Sequence, residues 1–303
     1  MQRFLRPALN IGAHVILDLE DGVGDVREPT GTPELKRIAR DHLRTFAESL
    51  SSDSATQLGV RVNAMATEHF GLDLAMLGAI DTARRPRLIV VPKVNSGADL
   101  EAACEALNSI GSGTRQVVPI VESRAGLAHL DDIMSMAIRR ELAYVVYGHY
   151  DYCLDAGEWP FPDHDQAAFW HIATDFIRRI ERGGLSYVHP PFPHVRHDAM
   201  FRRIRDHLAT ICSRAFGMIT VTSHQSSMCH DVARGDSFAE AISLDRPSAI
   251  SLRDRLARAQ SAITTYEANR RDGSTFALEA RTGRFITVHE YLAAKRHVDA
   301  SGG

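Results

Sequence analysis

Residues 116–151 decide the fold of this chain. They begin with Gln116-Val117-Val118-Pro119-Ile120-Val121-Glu122-Ser123 and end with Ala143-Tyr144-Val145-Val146-Tyr147-Gly148-His149-Tyr150-Asp151. Both segments are short runs of β-branched or aromatic residues, which is typical of buried strands. Between them, apolar residues recur at helical spacing and two arginines occupy the last turn: Leu127, Leu130, Ile133, Met134, Ile138, Arg139 and Arg140. The stretch therefore predicts a strand–helix–strand unit.

Each of these predicted strands is followed by an acid, Glu122 after the first and Asp151 after the second. Because the carboxyl ends of neighbouring parallel strands lie side by side, we expect the two carboxylates to share one hard divalent cation. For either acid alone, the alternative is that it caps a helix or faces solvent.

The same alternation of strand and helix recurs along the chain, in seven units of roughly 30 residues each. It predicts an α/β fold with a parallel sheet covered by helices. The best architecture is a TIM (β/α)8-type barrel that lacks the usual first strand, because the chain starts in a helical pattern and no strand precedes His14. An open doubly wound sheet is the alternative, but no glycine-rich phosphate loop follows any strand.

The pattern changes after about Gln225, which divides the chain into a barrel domain, residues 1–225, and a C-terminal extension, residues 226–303. In the extension we expect a helix near residues 252–266, a turn at Arg271-Asp272-Gly273 and a terminal helix over residues 286–297. The extension is predicted to be a lid or an oligomer contact.

Composition narrows the function classes. The chain has 303 residues, a net charge of −3 and 24% charged residues, so it lacks the basic footprint of a nucleic-acid-binding protein. No apolar run approaches the roughly 18 residues of a membrane span, and no signal peptide is recognisable. The four cysteines show no CxxC spacing. These features predict a cytoplasmic protein without a nucleic-acid or membrane partner.

The predicted strand ends carry chemistry. In barrels the active site lies at the carboxyl ends of the strands, which here hold, in order, Asp18/Glu20/Asp21, Arg61/Asn63, Lys93, Glu122, Asp151, His189 and Thr222. This set offers acids for a metal and cations for an anionic substrate, and the planar fork of arginine suits a carboxylate. The alternative is that Arg61 and Lys93 only pair with the nearby acids.

Several of these segments together resemble a known family. In the same order, the citrate lyase β-subunit-like proteins of the HpcH/HpaI aldolase/citrate lyase superfamily carry segments like Val15-Ile16-Leu17-Asp18-Leu19-Glu20-Asp21-Gly22-Val23, Arg61-Val62-Asn63, Pro92-Lys93-Val94, Ile120-Val121-Glu122-Ser123-Arg124-Ala125-Gly126, Tyr147-Gly148-His149-Tyr150-Asp151 and a tail from Asp272-Gly273 to Arg284-Phe285-Ile286. The resemblance implies a TIM barrel, usually a homo-oligomer such as a trimer or hexamer. It also implies Mg²⁺-dependent cleavage or formation of a carbon–carbon bond in a hydroxy-acid or its CoA thioester, such as citryl or malyl thioesters.

The resemblance also implies roles for single residues. Glu122 and Asp151 would be the Mg²⁺ ligands, Arg61 would hold the carboxylate of the keto-acid, and Glu20 and Asp21 would line the site. Lys93 is a further candidate for substrate binding. The general base stays open between Asp21 and a metal-bound hydroxide.

Three departures from the family pattern bear on function. The family's opening strand of the RSxLFVPG type is absent, the His-Pro pair after the last strand is replaced by Thr222-Ser223, and His149 stands where a small residue is usual. Two alternatives therefore accompany the thioester lyase: an aldolase that releases pyruvate from free 4-hydroxy-2-keto-acids, and a non-catalytic barrel subunit.

Overall fold

A computed structural model of the chain describes residues 7–24, 29–111, 116–230, 250–270 and 274–301. Within these ranges seven strands alternate with helices, as predicted, and a two-stranded hairpin follows. The strands are β1 (Val15–Asp18), β2 (Leu58–Arg61), β3 (Leu88–Val91), β4 (Gln116–Val121), β5 (Tyr144–Tyr147), β6 (Ser186–His189), β7 (Gly217–Met218), β8 (Phe276–Leu278) and β9 (Phe285–Thr287). The predicted turn at Arg271-Asp272-Gly273 lies outside the described residues.

The helices are α1 (Thr32–Glu48), α2 (Ser52–Ala55), α3 (Glu68–Ala79), α4 (Gly97–Ser109), α5 (Arg124–Ala128), α6 (Leu130–Arg139), α7 (His149–Ala156), α8 (Ala167–Arg182), α9 (Asp198–Ile211), α10 (Ser223–His230), α11 (Leu252–Asn269) and α12 (Val288–Ser301). Residues 7–10 are also helical, in keeping with the helical start expected from the sequence. Among the helices that the structure describes, none is long and apolar enough to cross a membrane.

The described residues form two compact units. The first comprises the described parts of Met1–Val146, Gly183–Leu185 and Gly273–Thr275, and the second those of Tyr147–Arg182, Ser186–Asp272 and Phe276–Gly303. The functional division at residue 225 stays a prediction.

In the first unit the strands follow one another in chain order. β1 runs parallel to β2, β2 to β3 and β3 to β4, and the register sets Asp18 opposite Arg61. All four residues of β3 are buried, which explains its unbroken apolar sequence, because a parallel strand is covered on both faces. The register therefore brings Asp18 and Arg61 side by side at the carboxyl ends of their strands.

Helix α1 does not bury the whole apolar face that the periodicity of its sequence predicts. Periodicity places Leu35, Ile38, Leu43, Phe46 and Leu50 on its apolar face, and the structure does bury Leu43 and Phe46. Ile38, however, is 37% exposed, whereas Lys36 and Arg40 are buried. The inward face of this helix therefore includes two cations.

The helical segment after Glu122 also differs in detail from the expectation. It is two helices, α5 and α6, which meet at His129. Leu130, Ile133 and Met134 are buried as predicted, but Ile138 is 50% exposed. Leu127 is half-buried, so the predicted apolar stripe is buried in its middle and not at its two ends.

The second unit is built around α8, which buries Phe169, Phe176, Ile177 and Ile180. Strands β6 and β7 are parallel, and β7 ends at Met218, earlier than the predicted end at Thr222. The antiparallel hairpin β8–β9 precedes α12. The Phe285 amide of the hairpin donates to the Pro193 carbonyl at 2.9 Å, so the C-terminal segment is fixed to the loop after β6.

Candidate active site

The turn after β1 is organised by the Asp18 carboxylate. Its Oδ1 accepts the Glu20 amide at 2.9 Å, and its Oδ2 accepts the Gly22 amide at 2.7 Å. A Cβ atom at Gly22 would lie 2.2 Å from Asp18 Oδ2, so no larger residue fits while this bond exists. The local sequence Asp18-Leu19-Glu20-Asp21-Gly22 thus folds into a tight turn that carries three acids.

Arg61 pairs with two of the strand-end acids. Its Nε donates to Asp18 Oδ1 at 2.8 Å and its Nη2 to Asp18 Oδ2, which is the two-pronged geometry favoured by carboxylates. Its Nη1 lies 3.1 Å from Glu20 Oε2. Burial by itself lowers the pKa of Arg61, but the Asp18 and Glu20 carboxylates hold it well above its usual value. The fork of Arg61 is therefore engaged by Asp18, and only Nη1 faces Glu20.

Lys93 connects the acids of the β1 turn with Glu122. Its Nζ lies 3.0 Å from Glu20 Oε1 and 3.6 Å from Asp21 Oδ2. Its backbone amide donates to Glu122 Oε1 at 2.7 Å. The residue has a φ of +57°, a left-handed conformation that is uncommon outside glycine. Because its side chain is 40% exposed, Lys93 is the solvent-accessible cation of this group.

Glu20 sits between the two cations and is only 5% exposed. Burial raises the pKa of its carboxyl to about 7, and nearby Asp21 raises it too, whereas Arg61 and Lys93 act in the opposite direction. A carboxyl that titrates near neutral pH is a common feature of catalytic sites. The first unit thus gathers Glu20, Asp21, Arg61, Lys93 and Glu122, five of the six residues to which the sequence assigned a catalytic, substrate-binding or metal-binding role.

Sequence reasoning missed a buried polar network behind this cluster. Lys36 Nζ donates to the Leu19 and Glu20 carbonyls at 2.8 and 2.9 Å and to the Asn63 side-chain oxygen. The Asn63 backbone and side-chain amides both donate to buried Asp73, which also accepts Arg40 at 3.1 Å. The helical spacing of Lys36, Arg40 and Leu43 on one face was visible, but charged side chains are normally interpreted as exposed.

Asp151, the sixth predicted residue, belongs to the second unit. It lies in the first turn of α7, after β5 has ended at Tyr147, and not directly at the strand end as Glu122 does. His289 Nε2, from the start of α12, is 3.1 Å from Asp151 Oδ2. Nothing in the sequence indicated this contact, because the two residues are far apart along the chain.

The last two strand-end residues, His189 and Thr222, form hydrogen bonds within the second unit. His189 is buried on β6, and its Nε2 lies 2.9 Å from His164 Nδ1. Burial lowers the pKa of His189 to about 3, so the ring is neutral. Thr222 lies beyond the short β7, and its hydroxyl accepts the Gln225 amide in the first turn of α10. His149, which departs from the family pattern, is buried with its Nε2 2.8 Å from the Pro162 carbonyl.

Comparisons with known proteins bear on the family and the fold of the chain. A model of the family HpcH/HpaI aldolase/citrate lyase matches residues 10–180, which is more than half of the chain. A comparison with curated protein sequences finds no match.

Solved structures are similar along most of the chain. The citrate lyase beta subunit of Mycobacterium tuberculosis complexed with oxaloacetate and magnesium is 20% identical, with 75% of this chain and 89% of that chain covered and a TM-score of 0.57. The CitE protein of the same organism in complex with magnesium, acetoacetate and coenzyme A is 18% identical, with 100% and 94% covered and a TM-score of 0.57. RipC from Yersinia pestis is 21% identical, with 71% and 85% covered and a TM-score of 0.52. The predicted α/β fold of the TIM-barrel type is thereby confirmed.

Proposed function

The chain belongs to the HpcH/HpaI aldolase/citrate lyase family, and from this premise we propose that it is a Mg²⁺-dependent carbon–carbon lyase. Its substrate is a hydroxy-acid thioester of the citryl or malyl type, which it cleaves to a keto-acid and an acyl thioester, or forms in reverse. The bound groups of the similar M. tuberculosis structures, oxaloacetate with magnesium and acetoacetate with coenzyme A, support this substrate class.

The observation that carries the proposal is the cluster at the strand ends of the first unit. Two cations, Arg61 and Lys93, flank the buried Glu20 carboxylate at 3.1 and 3.0 Å, and Lys93 also donates its amide to Glu122. Such a group offers positive charge to an anionic substrate and carboxylates to a hard cation.

We assign the metal to Glu122 and Asp151. Both are carboxylates, the donor type that Mg²⁺ prefers, and Glu122 is buried, at 4% exposure, with its Oε1 accepting the Lys93 backbone amide. The donor set therefore fits a hard divalent ion. When bound, Mg²⁺ would supply a Lewis acid for the hydroxyl and carbonyl oxygens of the substrate.

The cationic side chains of Arg61 and Lys93 bind the carboxylate of the substrate. Arg61 is held by Asp18 through Nε and Nη2, so we assign the substrate carboxylate to its Nη1 together with the exposed Nζ of Lys93. Glu20 keeps these two cations in place before the substrate arrives. The family resemblance implied only that Arg61 holds the carboxylate of the keto-acid. The present assignment specifies one atom of Arg61 and adds Lys93.

Cleavage requires one proton to leave and one to arrive. The substrate hydroxyl loses its proton and becomes a carbonyl group while the neighbouring carbon–carbon bond breaks. The electron pair of that bond remains on the thioester fragment, which then takes up a proton. We assign the first proton transfer to Asp21, which is more exposed than Glu20 and lies 3.6 Å from the Lys93 ammonium.

The experiment measures keto-acid release from citryl, malyl and methylmalyl thioesters and from free 4-hydroxy-2-keto-acids, first with Mg²⁺ and then with chelator. We expect chelator-sensitive release from a thioester that disappears in Asp151→Ala. Release only from a free acid, with pyruvate as product, would favour the aldolase. No release by a folded chain would favour a non-catalytic barrel subunit.

The division into a catalytic domain, residues 1–225, and an extension, residues 226–303, belongs to the same proposal, as do a homo-oligomeric state and a cytoplasmic location. Sedimentation of the full chain tests the oligomeric state.

A further inference from the structure

The C-terminal segment contributes a side chain to Asp151. Helix α12 begins at Val288, and its second residue, His289, sets Nε2 at 3.1 Å from Asp151 Oδ2. Both side chains are largely buried, at 12% and 17% exposure. The contact is therefore shielded from solvent. An exposed pair of this kind would contribute little to stability.

The position of His289 is fixed by the elements around it. The Phe285 amide donates to the Pro193 carbonyl, and the Val195 amide donates to the Gly283 carbonyl, both at 2.9 Å. These two bonds tie the strand before α12 to the loop after β6.

The first turn of α12 is held as well. Thr287 Oγ1 accepts the Glu290 amide at 3.2 Å, as an N-cap does. Glu290 also pairs with Arg284 at 2.7 Å, and Glu290 is buried. The backbone is thus held on both sides of His289, at Phe285 and at Glu290. The ring of His289 therefore has little freedom to move away from Asp151.

We propose that His289 is the positioning residue for Asp151. Its Nε2–H donates to Oδ2 and fixes the rotation of the carboxylate, so that the other oxygen is presented to the cation. A neutral imidazole is sufficient for this bond, since only one ring N–H is needed. Carboxylates that ligate metals are commonly oriented by such outer hydrogen bonds. The inference rests on the proposed function, in which Asp151 is a Mg²⁺ ligand, and it gives the C-terminal segment a role in the metal site of its own chain.

Two other readings of the contact make different predictions. If His289 were itself a ligand, the site would favour softer ions, because imidazole suits Mn²⁺ less well than Zn²⁺ or Ni²⁺ and suits Mg²⁺ least. If the pair only held α12 to α7, its loss would lower stability and leave metal affinity unchanged.

The experiment is calorimetric titration of the full chain with MgCl₂, and with ZnCl₂ in parallel, so the readout is binding and not activity. The variants are His289→Ala, which removes the donor, and His289→Gln, which retains an N–H donor. Lys295→Gln, an exposed position on the same helix, is the matched control. His289→Phe, which fills the volume without a donor, replaces the alanine variant if that variant does not fold.

We expect the donor-free variant to bind Mg²⁺ about 10- to 100-fold more weakly. His289→Gln should bind within a few-fold of the wild type, and the control should bind like the wild type. Wild-type Mg²⁺ affinity in the donor-free variant would overturn the inference. So would a loss that glutamine does not restore and that is larger for Zn²⁺, since this identifies a direct ligand.

Asp151→Ala distinguishes a failure of the metal assignment from a failure of the role proposed for His289. If it abolishes Mg²⁺ binding, the metal assignment stands and the His289 variants decide the inference alone. If it binds Mg²⁺ like the wild type, the metal assignment in the proposed function has failed and the inference is overturned with it.

Discussion

At the scale of single residues, burial and ion pairing act on Glu20 in opposite directions. Its carboxylate lies 3.1 Å from Arg61 and 3.0 Å from Lys93, which favours the ionised form. Removal from water disfavours that form more strongly, and the pKa is raised from 4.5 to about 7. The charge of Glu20 therefore costs folding free energy at pH 8, a cost that is tolerable where the charge is needed for function.

This balance predicts how stability depends on pH. Because the folded pKa lies above the unfolded one, the folded state binds more protons between about pH 4.5 and 7, so the contribution of Glu20 is present at low pH and lost as pH rises through 7. Glu20→Gln cannot titrate. In urea unfolding, the free energy of unfolding of Glu20→Gln relative to that of the wild type should increase from pH 5 to pH 8, by up to about 3 kcal/mol.

Glu34→Gln is the control for that measurement. Glu34 is exposed, and its hydrogen bond with Arg37 lowers its pKa, so the trend with pH should have the opposite sign and be small. A wild type that becomes more stable relative to Glu20→Gln as pH rises would mean that Arg61 and Lys93 outweigh burial.

Lys36 and Arg37 are neighbours in sequence with opposite environments. Lys36 is buried and donates to two carbonyls of the β1 turn and to Asn63. Arg37 is exposed and pairs with Glu34 and Asp41 at the surface. Burial lowers the pKa of Lys36, and the nearby Glu20 and Asp21 carboxylates act in the opposite direction.

Lys36→Met should therefore destabilise the chain by about 2–4 kcal/mol, because buried carbonyl oxygens lose their donor. Guanidinium unfolding measures the loss. Arg37→Ala, one residue away, should unfold like the wild type, since exposed ion pairs contribute little. Equal midpoints for the two variants would show that the Lys36 bonds do not stabilise the turn.

At the scale of elements, the turn after β1 depends on the absence of a side chain at Gly22. A Cβ there would lie 2.2 Å from Asp18 Oδ2. Asp18 has no simple way to move aside, because the same carboxylate accepts Arg61 and the Glu20 amide. The glycine therefore protects the pairing of two strand ends.

Gly22→Ala should lower stability by about 1–3 kcal/mol and weaken the hold of Asp18 on Arg61. Gly71→Ala is the matched control, because Gly71 is exposed on α3 and a Cβ there meets no atom within 4 Å. Helix propensity alone should make the control more stable by about 0.5–1 kcal/mol. Thermal melts that rank the two variants in the reverse order would contradict the role of the turn.

The elements show what sequence alone could and could not predict. Strands such as β3 were found because a parallel strand buried on both faces is continuously apolar. Lys93 and Glu122 were singled out because they lie within two residues of the ends of such strands. Helix α10 was missed because Ser223–His230 is mostly polar and lacks an apolar period.

The rest required three-dimensional information. Lys36 was not recognised because a lysine on a helix is normally solvated, and only the nearby carbonyls and acids make its burial favourable. The partners of Arg61 depended on strand register, which set Asp18 opposite it. The contact between Asp151 and His289 depends on how the C-terminal hairpin packs, and local sequence carries no signal for that.

At the scale of the whole molecule, the two predicted metal ligands belong to different compact units. Glu122 follows β4 in the first, and Asp151 starts α7 in the second. Each of these two acids is a predicted Mg²⁺ ligand. Metal binding then stabilises the chain by mass action, and adding Mg²⁺ should raise the melting temperature.

A double-mutant cycle tests whether the two carboxylates hold the same ion. Glu122→Gln and Asp151→Asn should each remove most of the Mg²⁺-dependent rise in melting temperature, and the double variant should lose no more than either single one. Because ligands of one ion act as a unit, their effects are strongly non-additive, whereas independent sites would give losses that add. Glu101→Gln, a half-exposed acid on α4, should keep the full rise. Additive losses in the cycle would assign the two acids to separate sites and overturn the shared metal.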